Sequence, residues 1–400
     1  MISKLFHPNI TLPVVFVAAG SAIFLTWSVG NDANVAYVAL KNEPVQERTA
    51  HLATPELVRA IYMTSYVAGD KAWRGKLANF VDRTELNAIV IDVKDYTGRV
   101  AFDMDNSYVR ELGSVKPLVP DIRDFIRELH SKNIYAIARI SVFQDPYFLS
   151  VHPEYAVKTK SGAMWKDRKG IPWVDPAAED FWNYIALLAQ ESERAGFDEI
   201  NFDYIRFPSD GNMKDIAYDY WDKVTPPAEV IEKFFAYLRD SLDVRFSKPR
   251  RIQDNLVYVP TPIPLSVDLF GMVTVNTDDL NIGQVLERAA PYFDYIAPMV
   301  YPSHYPATYK NFGNPAAHPY EIIYDAMSVA SRRLIAASST PAKLRPWLQD
   351  FDLGAEYDAA MVRKEMQAVY DAGLTSWMAW DAANRYTQDA YRLSTTSAIQ

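Results

Sequence analysis

Apolar and polar positions follow two rhythms along this chain. From Pro55 onward, short apolar runs of strand length give way to stretches whose apolar residues recur at helical spacing. The strand pattern falls at 58–66, 88–94, 135–142, 199–207, 265–270, 295–301, 344–348 and 376–380. Helical patterns separate them, over 71–83, from Pro120-Asp121 onward, 178–195, 226–246, 280–290, 320–336 and 356–372. The second of these places Ile122, Phe125, Ile126 and Leu129 on one face, at i, i+3, i+4 and i+7. The turn into each strand is repeated too: Ala195-Gly196, Asp371-Ala372-Gly373 and Ser131-Lys132-Asn133 each close a helix before an apolar run that ends on a polar residue. One strand–helix unit repeated along the chain predicts parallel strands, and the simplest closed arrangement is an α/β fold of the (β/α)8, or TIM barrel, type. An open doubly wound sheet is the alternative. It would carry a glycine-rich phosphate loop after strand one, and Tyr66-Val67-Ala68-Gly69-Asp70 is not one.

Three segments interrupt the rhythm. Leu12 to Gly30 is almost uncharged and apolar, near the length that spans a bilayer, with Lys4 ahead of it. It is expected to form an N-terminal hydrophobic anchor helix or a cleaved signal peptide, with Asn34-Val35-Ala36 as a weak cleavage site. Residues 34–54 read as a polar tether, and 55–395 as the barrel. Membrane attachment through the N-terminus, with the barrel periplasmic, at the cell surface or secreted, follows from this expectation. The second interruption, 143–175, carries three Pro and two Trp and is predicted to be a long functional loop forming one wall of a cleft. The third, 249–264, reads as an irregular insertion.

Composition narrows the function. With 400 residues and 49% hydrophobic content, the chain can bury a sizeable core. A net charge of −9 argues against nucleic acid as a partner. There is no cysteine, which excludes thiolate catalysis and cysteine-held metals. The six histidines show no HxH or HExxH spacing, so no metal and no other cofactor is expected. Twenty-five Tyr and nine Trp exist mainly to fill the core, but the same rings could also line a sugar cleft.

In a barrel, the polar residues ending the strands meet at one rim. These include Asp92 and Lys94, Arg139, Asp203 with Tyr204 and Arg206, Asp268, Tyr301 and His304, Trp347, and Trp380 with Asp381. Side chains alternate along a strand, so Asn201 and Asp203 share a face, as do Ser266 and Asp268. Asp203 and Asp268 lie on neighbouring strands four and five. Two facing carboxylates are what glycoside cleavage requires: one protonates the leaving oxygen, and the other attacks or activates water. The plainer alternatives are that Asp203 only pairs with Arg139 or Arg206, and that Asp268 caps the turn before Gly271. Each rim aromatic reads as core before cleft, except Trp380, which sits beside Asp381 at a strand end, and His304 could be a simple loop residue.

Three stretches carry a resemblance. Phe197–Pro208 (FDEINFDYIRFP), Leu265–Gly271 (LSVDLFG) and Ala297–Tyr305 (APMVYPSHY) resemble a family of bacterial glycoside hydrolase-like barrels catalogued as a domain of unknown function. The likeness runs from about Leu57 to Tyr386. It implies a TIM barrel related to polysaccharide-cleaving enzymes, with Asp203 and Asp268 at the matching positions, and it fixes no substrate. The expectation is therefore a glycoside hydrolase acting on an envelope or exported polysaccharide. Asp203 is its nucleophile or electrostatic stabiliser and Asp268 its preferred general acid, with Asp381 and Asp92 as substitutes. Asp92, Lys94, Arg139, Tyr204, Arg206, Tyr301, His304, Trp347, Trp380 and Asp381 are the candidate substrate contacts. A non-catalytic glycan-binding barrel, or a scaffold in an envelope complex, is the competing class.

Overall fold

The computed structural model describes residues 14–18, 21–25, 51–243, 247–252, 255–260 and 263–394. The chain divides into two compact units, Met1–Thr49 and Ala50–Gln400. In the first, Val14–Ala18 and Ser21–Leu25 pair as an antiparallel hairpin. The described part of the apolar run is thus strand where an anchor helix was expected, and the rest of that segment and the tether to Thr49 lie outside the described residues. Among the described residues no helix is long and apolar enough to cross a membrane.

The second unit is a closed parallel barrel. Its strands are β1 (Arg59–Met63), β2 (Ala88–Lys94), β3 (Tyr135–Ser141), β4 (Glu199–Asp203), β5 (Leu265–Phe270), β6 (Tyr295–Met299), β7 (Trp347–Gln349) and β8 (Trp377–Trp380). They pair in sequence order, and β8 closes on β1 through Trp377 beside Arg59 and Ala379 beside Ile61. The principal helices are α1 (Lys71–Arg83), α2 (Ile122–Ser131), α3 (Glu179–Ala195), α4 (Pro227–Asp243), α5 (Leu286–Ala289), α6 (Pro319–Ala336) and α7 (Ala359–Asp371). Local chemistry sets their ends. The Asp70 carboxylate accepts from the Ala72 and Trp73 amides to start α1, and Asp358 accepts from Met361 to start α7. Gly196, at φ 114°, closes α3 in a left-handed conformation that a side chain would resist.

The core has two layers. The larger lies between strands and helices, where α2 buries Ile122, Phe125, Ile126 and Leu129. The smaller fills the barrel, with Ala60, Tyr62, Val90, Ile137, Ala297, Trp347 and Met378 among its members. At its N-terminal end, Glu199 and Arg345 pair at 2.8 Å with almost no exposure, beside Tyr135. That pair neutralises two charges where an unpartnered one would be costly.

Two interruptions differ from expectation. The 249–264 insertion falls largely in an antiparallel hairpin, Ser247–Ile252 with Asn255–Pro260. The 143–175 loop is folded, opening with a helix at Pro146–Val151 that Asp145 caps through the Phe148 amide. Trp173 and Trp165 are buried in it, with 0% and 2% exposure. Their indole N–H groups donate inward, to Asp167 Oδ2 and to the Asn212 carbonyl, both at 3.1 Å. These rings hold the loop together and do not form a cleft wall.

Candidate active site

Register explains how the rim residues meet. Asp92 on β2 is level with Arg139 on β3, Arg139 with Asn201 on β4, and Asn201 with Ser266 on β5. Asp203 and Asp268 are two residues further along their strands, on the same inward faces, so both stand one layer nearer the C-terminal rim. The long Arg139 side chain spans the two layers.

Arg139 is the hub of the site. Its Nη1 donates to Asp92 Oδ1 at 2.6 Å, its Nη2 donates to Asp203 Oδ2, and its Nε lies 3.7 Å from Asp268 Oδ2. Asp203 Oδ1 accepts from the Tyr204 amide at 2.5 Å. That contact depends on Tyr204 adopting φ 55°, uncommon for a residue with a side chain, and this turn is why β4 stops at Asp203 and not at Phe207. Asp268 Oδ1 accepts from Trp347 Nε1 at 2.8 Å and from Asn201 Nδ2 at 2.9 Å. Asp268 therefore does not cap the turn at Gly271. The Tyr62 hydroxyl donates to Asp92 Oδ2, and the Tyr62 ring stacks on Trp380 with centroids 3.8 Å apart. Trp380 also lies 5.0 Å from the Arg139 guanidinium carbon.

The electrostatics separate the carboxylates. Burial, then the neighbouring Asp203 charge, push Asp268 up to about 8, against the pull of Arg139 and two hydrogen-bond donors. Burial also raises Asp92 to about 6, opposed by Arg139 and the Tyr62 hydroxyl. Burial alone would lower the Arg139 pKa, but Asp203 and Asp92 outweigh it and keep the guanidinium charged. At neutral pH Asp268 holds a proton, and its bonded Oδ1 leaves Oδ2 to carry it. Asp268 and Asp203 thus differ in surroundings: Asp268 has one oxygen without a hydrogen-bond partner among the described residues, and both oxygens of Asp203 accept hydrogen bonds.

The remaining predicted residues divide. Tyr301 is buried at the rim above Asp268 and Asp203, and burial and then those two acids raise its phenol pKa. His304 is exposed and edges onto Tyr301 and Phe351. Tyr204 and Arg206 form the adjoining edge, where Arg206 lies 4.7 Å from the Trp173 ring and bonds to Ser209 but not to Asp203. Two predicted residues stand apart from the cluster. A β-bulge after Asp92 turns Lys94 off the barrel face, and its fully buried ammonium pairs with Asp145 at 3.0 Å. Asp381 caps its own turn through the Ala383 amide at 2.5 Å. Tyr62, Asn201 and Phe351 were not singled out as site residues. For Tyr62 the signal was present: it follows Ala60 by two on the inward face of β1. Among the described residues no group of three or more His, Asp or Glu side chains could hold a metal ion.

The closed parallel barrel, with Asp92, Asp203 and Asp268 gathered toward its C-terminal rim, is a (β/α)8 TIM barrel. The chain belongs to the family described as "Putative glycosyl hydrolase domain", which matches residues 60–386. No curated protein sequence matches it. Among solved structures it is similar to the PgaB (BpsB) glycoside hydrolase domain from Bordetella bronchiseptica. That match has 13% identity and a TM-score of 0.59, and covers 85% of this chain and 100% of that one. At that identity the likeness establishes the fold. A hypothetical protein from Ruminiclostridium thermocellum is 35% identical over 46% of this chain and 92% of its own, with a TM-score of 0.43. The Bacillus cereus spore cortex-lytic enzyme SleL is 11% identical, covering 84% of this chain and 73% of its own, with a TM-score of 0.45.

Proposed function

We propose that the barrel is a glycoside hydrolase cleaving an envelope or exported polysaccharide, with Asp268 as general acid and Asp203 as nucleophile or electrostatic stabiliser. The observation that carries this reading is the placement of two buried acids side by side on adjacent strands, Asp203 held by Arg139 and Asp268 pushed up to about 8 by burial and its neighbour. Asp268 Oδ2–H protonates the glycosidic oxygen as the bond to the anomeric carbon breaks. Asp203 offsets the positive charge that develops on the sugar ring. Trp380, partly exposed and braced by Tyr62, supplies a face for a pyranose, and Tyr301 and His304 edge the same opening. The family and the glycoside hydrolase neighbours support the reaction class. The apolar Leu12–Gly30 run supports export to where such polymers lie.

One observation favours the glycan-binding alternative: Arg139 engages both Asp92 and Asp203, as it would in a purely structural ion pair. The test is reducing-end release from a panel of neutral, acidic and aminated polysaccharides. Release by the native protein and none by Asp203→Asn supports hydrolysis. Retention of a polymer on the protein, with no release from any, establishes the binding barrel instead.

A further inference from the structure

Two buried polar atoms in the site face each other without bonding. Arg139 Nε and Asp268 Oδ2 stand 3.7 Å apart, and neither has a hydrogen-bond partner among the described residues. An arginine beside a carboxylate normally closes such a gap, because an unmet buried donor is costly. Here the guanidinium is held elsewhere. Asp92 fixes Nη1 at 2.6 Å and Asp203 fixes Nη2. Asp92 is itself anchored by the Tyr62 hydroxyl, and Tyr62 is braced by the stacked Trp380 ring. A chain of contacts from β8 and β1 through β2 thus decides how the arginine on β3 is turned.

We infer that Asp92, anchored by Tyr62, is a positioning residue that turns Arg139 toward Asp203 and keeps its Nε–H from bonding Asp268, so that one carboxylate is the anion and the other the proton donor. This rests on the acid and anion roles given above. A proton on Asp268 Oδ2 directed at the Arg139 Nε–H would set donor against donor, which fits the unclosed gap. Released from Asp92, the guanidinium would rotate its Nε–H onto Asp268, favour the ionised form and remove the acid. The groups facing Asp268 are Asp203 and Asn201 from β4, Arg139 from β3, Trp347 from β7 and Tyr301 beyond β6. Those facing Asp92 are Tyr62, Arg139 and Asp95. None of the others could replace Asp92 as a second anionic hold on Arg139 Nη1.

The experiment is a carboxyl-carbon NMR titration of the full chain with labelled aspartate, in which Asp268 is assigned by its loss in Asp268→Asn. In the native protein Asp268 should titrate near 8. In Asp92→Asn it should titrate near 6, so that its protonated share at pH 7 falls roughly tenfold. Removing the Asp92 charge alone would act in the same direction, so Tyr62→Phe is the deciding variant. It keeps the Asp92 carboxyl group, removes only the hydroxyl anchor, and spares the fold if the Asp92 substitution does not; it is read at a pH where the Asp92 signal in the same titration shows that group still ionised. A lowered Asp268 titration in Tyr62→Phe supports the inference. A native titration near 8 that stays unmoved in Tyr62→Phe overturns it and leaves the acid assignment standing. A native Asp268 that titrates as an ordinary carboxylate overturns both.

Discussion

Replacing Asp203 by Asn removes one charge from the centre of the site and changes little else in shape. Asn can still accept from the Tyr204 amide, but it offers Arg139 no charge. Breaking a buried ion pair outright costs about 3 kcal/mol or more. The surroundings reduce that here. Asp92 keeps its 2.6 Å hold on Nη1, and Asp268, 3.7 Å from Nε, loses the Asp203 charge that helps keep it neutral. Asp268 can then ionise and take the free guanidinium. The net loss should be about 1 kcal/mol, or a melting point lowered by about 2 °C in a domain of this size. Catalysis has no such compensation. The stabilising anion is gone, and the acid has ionised as well, so the rate should fall by several orders of magnitude, about 4 kcal/mol or more of barrier. Thermal melting and reducing-end release are measured on the same preparation. A variant that melts about 6 °C lower yet still cleaves would show Asp203 to be a structural partner of Arg139, and would refute the reasoning.

Asp92 and Asp268 both have native pKa values above the ordinary carboxylate 3.8. The native state therefore binds more protons than the unfolded one, and stability falls as pH rises, from near 4 up to about 6 for Asp92 and about 8 for Asp268. Urea midpoints from pH 4 to 9 should follow this decline, and Asp268→Asn should flatten the part above 6. Trp173→Ala should cost roughly 3 to 5 kcal/mol, read from the same denaturation curves, because a fully buried ring leaves a cavity; a stable variant with weakened glycan binding would restore the ring to a cleft wall. A chain beginning at about Asn34 should stay folded and monodisperse by circular dichroism and gel filtration; aggregation would mean that the apolar run packs against the barrel.

Where one periodicity decided the outcome, the sequence could be read closely. The strand Ala88–Lys94, the strand Leu265–Phe270 and the helix Lys71–Arg83 stand where their patterns placed them. The C-terminal end of β4 was not readable in the same way, because only the left-handed turn at Tyr204 stops it, and nothing in an apolar run marks that residue for such a conformation. The pairing of Arg139 with Asp203 followed from neighbouring strands. Its second bond, to Asp92, needed only β2 and β3 in register, but the bulge that removes Lys94 from the same face has no sequence signature here. The Trp347 bond to Asp268 crosses the barrel from β7 to β5, and its reach depends on the stagger of the whole barrel and not on any local pattern. Loop aromatics misled for a related reason: Trp165 and Trp173 fold under their own loop, and composition alone cannot separate a ring buried beneath a loop from one lining a cleft.

The assignment of Asp268 as proton donor is tested most directly by its dependence on the leaving group. An acid is needed when a sugar hydroxyl must depart, and much less when the departing group is a stable phenolate. The measurement is the rate of Asp268→Asn relative to the native protein, on the polysaccharide it cleaves and on a 4-nitrophenyl glycoside of the same sugar. The account predicts a loss of at least a hundredfold on the polymer, within the range general acid catalysis supplies, and a far smaller loss on the activated substrate. Equal losses on both, or full activity on the polymer, would contradict it.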